Sequence, residues 1–266
     1  LIERVSFAVP KGIQINSHLL SNGVKLPHLS DLDIKTLFNS MQLTLDGIEE
    51  FHDTVRMRHD GTGTFAATLE QIKRCSKLTK VLIRFNVHSD SDTVVVKVMN
   101  FLREQNLIGK INFYFSPITE ENGSGCQYEC ISHVEVVDAC LKEQERLRQA
   151  GDLSTKIYSL PLPKCRECSV DLDSHIVIGE DGTLFKCFPD AGRPEFGVGH
   201  IYTGIDKTSL HDRAYCDDDP FKDSRCRNCS IFPVCGGGCP KYRINYKESK
   251  CKYTIEQIRR LVLCSL

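Results

Sequence analysis

Ten of the 14 cysteines in this 266-residue chain fall in its last 106 residues, about 9% of that segment. They come in short pairs. Cys226-x2-Cys229-x5-Cys235-x3-Cys239 is followed by Cys251, and upstream Cys165-x2-Cys168 leads to Gly182-x4-Cys187. Thiolates two or three residues apart can converge on one ion or cluster when the backbone between them turns tightly, and Gly236, Gly237 and Gly238 permit such a turn between Cys235 and Cys239. Eight thiolates make two sets of four. Spacing alone does not separate zinc from iron–sulfur, because both accept four thiolates. The density would also suit a secreted disulfide scaffold, but no signal peptide is visible, and in a reducing compartment CxxC pairs more often bind metal than form bridges.

The other cysteines read differently. Cys75, Cys140 and Cys264 lie on helical apolar faces and are expected as core thiols. Cys216, in Tyr215-Cys216-Asp217-Asp218, is exposed by context and is an alternative to Cys165 in completing a set. Cys126-x3-Cys130-x2-His133 reads as a structural or incidental group, with a third metal site as the alternative.

The rest of the composition excludes several classes. Lys+Arg 34 against Asp+Glu 35 leaves a net charge of −1, without the basic excess of a nucleic-acid binder or a membrane-surface protein. No apolar run approaches the ~18 residues of a membrane span. The expected location is cytoplasmic.

Residues 1–160 alternate strand and helix patterns. Ile13–Leu20, Met41–Leu45, Lys80–Val87 and Lys110–Ile118 read as strands. Helices are expected from Ser30 or Asp31 through Phe38, over Thr64–Leu78 and Thr93–Leu107, and from a Ser132/Glu135 capping box to Gly151. This alternation predicts an α/β unit with a parallel sheet and crossover helices. Four strands are too few for a closed eight-stranded barrel of ~250 residues, which leaves a small open sheet or the later part of a larger barrel. Residues 161–266 read as a second, loop-rich domain. It has a hairpin over His175–Gly179 and Thr183–Cys187 and no helical period before Lys252–Leu263. Its apolar content is thin, so bound metal is the expected source of its stability.

The order C-x13-G-x4-C, gap, C-x2-C-x5-C-x3-C, gap, C, carried by Cys168, Gly182, Cys187, Cys226, Cys229, Cys235, Cys239 and Cys251, resembles the seven-cysteine signature of SPASM domains. These are C-terminal extensions of radical S-adenosylmethionine (SAM) enzymes that modify peptides, the sulfatase-maturating enzymes among them. Three stretches of the first half are similar to that family in the same order: Ser21-Asn22-Gly23, Leu43-Thr44-Leu45-Asp46-Gly47, and His52-Asp53-x2-Arg56 with Gly61-x-Gly63-Thr64-Phe65. Taken alone, the HDxxR segment reads as a solvated loop.

The resemblance implies a partial (β/α)6 TIM-like radical SAM barrel over 1–160 and a SPASM domain with a C-terminal helix over 161–266. It implies two auxiliary [4Fe–4S] clusters. The first would use Cys165, Cys168, Cys187 and Cys239, with Cys165 outside the seven-cysteine signature, and the second Cys226, Cys229, Cys235 and Cys251. Because Cys239 interleaves with the first set, losing one ligand should disturb both. Thr44 stands where the family has a Ser that bonds the SAM ribose.

The implied activity is that of an oxidoreductase or peptide maturase. A 5′-deoxyadenosyl radical would abstract hydrogen from a peptide or protein side chain, with a reductant such as flavodoxin or ferredoxin as partner. Two departures stand out. The CxxxCxxC that holds the SAM-cleaving third [4Fe–4S] cluster and the GGEP motif do not occur, so the first two strands are expected upstream of Leu1 and this chain alone is expected to be inactive. Cys187 is followed by Phe188 where sulfatase-maturating relatives have an Asp general base, which leaves Asp190 as a weak candidate for that role. Phe232, Lys241, Tyr242 and Arg243 are candidates to face a peptide by sequence proximity alone. The rival readings are a non-catalytic iron–sulfur electron-transfer or binding module and a zinc-stabilised interaction domain.

Overall fold

The computed structural model describes residues 10, 12–88, 90–118, 130–163 and 168–265. The chain divides into two compact units, Leu1–Tyr158 and Ser159–Leu266. Cys126 and Cys165 lie outside the described residues. Among the described residues no helix is long and apolar enough to cross a membrane.

The first unit runs β1 (His18–Ser21), α1 (Asp31–Leu37), β2 (Ser40–Leu45), α2 (Glu49–Val55), α3 (Phe65–Cys75), β3 (Lys80–Val87), α4 (Ser91–Glu104), β4 (Asn112–Pro117) and α5 (His133–Gln149). All four strands are parallel, and their order across the sheet is their order in the chain. The first strand covers only the end of the expected Ile13–Leu20, while β3 matches its expected span. The capping residue of α1 is Ser30, whose hydroxyl accepts from the Asp33 amide while Asp33 accepts from the Ser30 amide. Ser132 and Glu135 cap α5 in the same reciprocal way.

The strands alternate because their two faces meet different surroundings. Met41, Leu43 and Leu45 of β2 and Val81, Ile83, Phe85 and Val87 of β3 are buried. They form one core with Ile34 of α1, Ile72 and Cys75 of α3, Val95, Val98, Met99 and Leu102 of α4, and Val136, Ala139 and Cys140 of α5. The opposite face is mainly polar, with Leu20 and Leu82 in the row of Gln42, and largely half-buried. Thr44, Arg84 and Tyr114 stand in one row across β2, β3 and β4, and the Tyr114 hydroxyl donates to Gln42 Oε1 at 3.1 Å.

The HDxxR segment is not a solvated loop. It forms α2, and its groups tie the end of β2 to the start of α3. His52 is 0% exposed; its Nδ1 accepts from the Asp46 amide at 3.0 Å. That bond requires a bare Nδ1, so the neutral ring carries its proton on Nε2 and gives it to Thr64 Oγ1 at 3.1 Å. The Thr64 hydroxyl passes its own proton to the Arg56 carbonyl at 2.7 Å. Asp53 Oδ1 accepts from the Thr64 and Phe65 amides at 2.8 and 2.9 Å, capping α3 from a distance. Arg56 pairs with the buried Asp46, which also accepts from the Asn86 amide nitrogen. Gly63 is required because a Cβ there would enter the Asp53 carboxylate.

The second unit contains a four-stranded antiparallel sheet, β5 (Val177–Ile178), β6 (Thr183–Phe185), β7 (Gly199–His200) and β8 (Gly204–Ile205). The expected hairpin is β5–β6, with shorter strands, and β7–β8 extend it. Helices also precede the C-terminal one. They are α6 (Leu210–Cys216), α7 (Ser224–Arg227), α8 (Phe232–Cys235) and α9 (Pro240–Tyr246), before α10 (Ile255–Ser265). None of α6–α9 exceeds seven residues, too short for a helical period to register in sequence.

Gly63→Ala should cost the Asp53 cap and destabilise the first unit by about 1–2 kcal/mol, seen as faster amide exchange in β2 and α3. Burial holds the His52 imidazole below its ordinary value. The unfolded chain therefore takes up the proton first, so this contribution is present above about pH 6.5 and is lost as pH falls through that value. Pulse proteolysis in urea, read on fragments of this unit, should show stability falling from pH 7 to 5.5. An equally steep fall in His52→Gln would assign the loss to other groups.

Candidate metal centre

The thiols of the second unit are gathered by features that do not themselves bind metal. Cys226 lies in α7, Cys235 ends α8 and Cys239 precedes α9. Cys226 and Cys235 are buried, Cys229 is half-buried and Cys251 is exposed; all are free thiols. These four are electrostatic neighbours. The Cys251 thiol is pushed up by burial, and Cys235, Cys226 and Cys229 push it the same way, while the Arg225 cation opposes them. Cys251 is brought in by the segment before it. The Ser249 amide donates to Asp223 Oδ2 at 2.9 Å, and the Ser249 carbonyl accepts from Arg225 at 3.1 Å. Asp223 also caps α7 through the Arg225 amide.

The glycine loop between Cys235 and Cys239 is held by one side chain. Gly236, Gly237 and Gly238 all have positive φ (67°, 81° and 74°), a run that residues with a Cβ rarely adopt. Arg243 from α9, 6% exposed, donates to the carbonyls of Gly237 and Gly238 at 2.6 and 2.9 Å. Its remaining donors engage the buried carboxylate of Asp218. A Cβ on Gly238 would meet the Lys250 carbonyl, one residue before Cys251. The loop therefore fixes Cys235, Cys239 and the approach to Cys251 together.

Around the hairpin, Cys187 is buried with Val170 and Tyr215, and Cys168 packs against them. Burial pushes the Cys187 thiol up to about 12. The Tyr215 hydroxyl opposes that shift, while the nearby Asp190 and Cys239 add to it. Cys187 thus has Cys168 and Cys239 as neighbours; Cys165 lies outside the described residues. Cys216, at the end of α6, is exposed and its thiol lies 4.0 Å from Asp212 Oδ2. Among the described residues no three His, Cys, Asp or Glu side chains converge as on a single metal ion.

Asp190 is more than a turn residue. It is 3% exposed, its Oδ2 accepts from the Tyr215 hydroxyl at 3.1 Å, and its Oδ1 pairs with Lys241 at 2.5 Å. Lys241 and Arg243 are consequently turned inward to carboxylates rather than outward to a peptide. Phe232 packs at a tilt against Phe221, ring centroids 4.5 Å apart, and Tyr242 against Tyr246 at 4.4 Å. Asp218, Asp223 and Arg225 were not legible as site residues, because surface-type charges in a loop-rich sequence carry no signal of what they grip. In the first unit, Thr44 sits on the polar face of the sheet, two residues before Asp46, with Arg84 as its neighbour on β3.

No protein-family model matches the sequence, and no curated protein does. Solved structures do share its fold. The chain is similar to native anSMEcpe with bound AdoMet and a Kp18Cys peptide at 18% identity, over 96% of this chain and 75% of that one, with a TM-score of 0.63. It is similar to anSMEcpe with bound AdoMet to the same extent, over 74% of that chain. It is also similar to Streptococcus suis SuiB bound to precursor peptide SuiA at 15% identity, over 95% of this chain and 59% of that one, with a TM-score of 0.55.

Arg243→Lys keeps the charge but cannot hold Asp218 and two carbonyls with one rigid fork. In metal-free protein it should raise the alkylation rates of Cys235 and Cys239 several-fold relative to Cys75 and Cys140, as read by peptide mass spectrometry. Unchanged rates would mean that the loop holds without the clamp.

Proposed function

We propose that this chain belongs to a radical SAM enzyme with a SPASM domain, which modifies a side chain of a peptide or protein. The observation that carries the reading is the juxtaposition of two independent features. One is a pattern of seven cysteines whose members fall into two thiol neighbourhoods. The other is a parallel α/β unit in a fold shared with anSMEcpe and SuiB, whose structures hold AdoMet and peptides. On this reading the first unit is part of a barrel. Its helices pack on one face of a sheet whose strands follow chain order, and its other face is mainly polar, as the inner wall around a ligand would be.

The donor set fits the implied groups. It is all thiol, free of disulfides among the described residues, and partly buried. Cys226, Cys229, Cys235 and Cys251 would hold one [4Fe–4S] cluster. Cys168, Cys187 and Cys239 would hold the other, with Cys165 or Cys216 as the fourth ligand. Zinc draws four sulfurs to about 2.3 Å from one centre, whereas a four-iron cluster holds its thiolates farther apart across inorganic sulfide. When bound, the clusters supply one-electron chemistry that can take up the electron lost in oxidising the substrate.

The chain's own residues orient and insulate. Thr44 offers a hydroxyl to the SAM ribose on the polar face, beside an Asp46 carboxylate fixed by Arg56 and Asn86. Asp190 has both oxygens engaged by Tyr215 and Lys241, which favours anchoring of the loop after Cys187 over a role as general base. A cytoplasmic location and a reductant such as flavodoxin or ferredoxin follow from the same reading.

Anaerobic reconstitution with iron and sulfide should give a brown protein with about eight iron and eight sulfide per chain. Cys239→Ala should lose more than the iron of one set, because its loop also carries Cys235. About two zinc per chain without sulfide would overturn the reading and leave a zinc-bound interaction module.

A further inference from the structure

Among the described residues, one buried side-chain polar atom lacks a hydrogen-bond partner, the hydroxyl of Ser249. The residue is 6% exposed. Its backbone is fully occupied, the amide by Asp223 and the carbonyl by Arg225. Asp223 caps the helix that contains Cys226, and Ser249 lies two residues before Cys251. The serine is therefore tied through its backbone to the start of the Cys226 helix and through the chain to Cys251, two thiols of the second set.

A buried hydroxyl left unpaired is costly, and native proteins keep such groups where an ion, water or cofactor completes them. Two residues before Cys251, a freely rotating O–H would find a good acceptor in the sulfur of a bound cluster. We propose that the Ser249 hydroxyl donates a hydrogen bond to a sulfur of the cluster held by Cys226, Cys229, Cys235 and Cys251, and thereby raises the reduction potential of that cluster. The proposal rests on the cluster reading above. Its physical basis is that the one-electron-reduced cluster carries the more negative sulfurs, so a donor stabilises it more than the oxidised form.

The test is a spectroelectrochemical titration of the full chain, loaded with iron and sulfide without oxygen, for wild type, Ser249→Ala and Ser249→Thr. All three should bind the same iron and sulfide. In Ser249→Ala one of the two one-electron steps should move to more negative potential while the other stays, and Ser249→Thr, which keeps the hydroxyl, should restore it. A metal-free comparison adds a sign that a merely structural serine would not give. Ser249→Ala should unfold no earlier than wild type when unloaded, but earlier when loaded. Full loading with both steps unmoved in Ser249→Ala overturns the role of the serine alone. A wild-type chain that takes up no sulfide overturns the cluster reading and this inference with it.

Discussion

A single guanidinium fixes the path of the glycine loop on which the spacing of the last cysteines depends. Arg243 spends two donors on the carbonyls of Gly237 and Gly238 and the rest on Asp218. Three successive glycines at positive φ have no intrinsic preference for one path, and glycine gives up more backbone freedom on folding than any other residue. The arginine supplies the missing preference. A buried pair of this kind adds little net stability against an apolar replacement, but removing one partner strands the other charge. Its value here is geometric, since the path it fixes separates Cys235 from Cys239 and sets Gly238 against the backbone that leads into Cys251.

The same logic recurs around both thiol sets, where charged side chains grip one another and the backbone together. Asp223 and Arg225 hold the two sides of Ser249, and Asp190 joins Tyr215 and Lys241 beside Cys187. Apolar burial in this unit is modest, with Val170, Leu184, Phe185, Val198 and Leu261 among its buried side chains. Polar clamps therefore carry part of the organisation that the sequence reading assigns to bound metal.

Local features were legible from sequence and long-range ones were not. The strand Lys80–Val87 and the Ser132/Glu135 box follow from alternation and spacing, which are local. The HDxxR segment misleads when read alone, because charged and polar residues in a row look solvated. Its side chains instead point at amides twelve residues away and at the end of a strand. Lys241 and Arg243 looked outward for the same reason, although their carboxylate partners Asp190 and Asp218 lie 51 and 25 residues away in the chain. The short helices α6–α9 escaped detection because each is held by caps and neighbours rather than by an apolar stripe.

The strand order of the first unit bears on how the chain acquires its structure. When spatial order equals chain order, every new strand docks on the one just completed, so the sheet can be assembled strand by strand, each pairing closing over a single crossover. The second unit has no such freedom. Cys187 waits for Cys239, and Cys226 for Cys251, so neither thiol neighbourhood is complete until nearly the whole unit has been laid down. The two halves of the chain are thus built on opposite kinetic principles, one by accretion and the other by a single late closure.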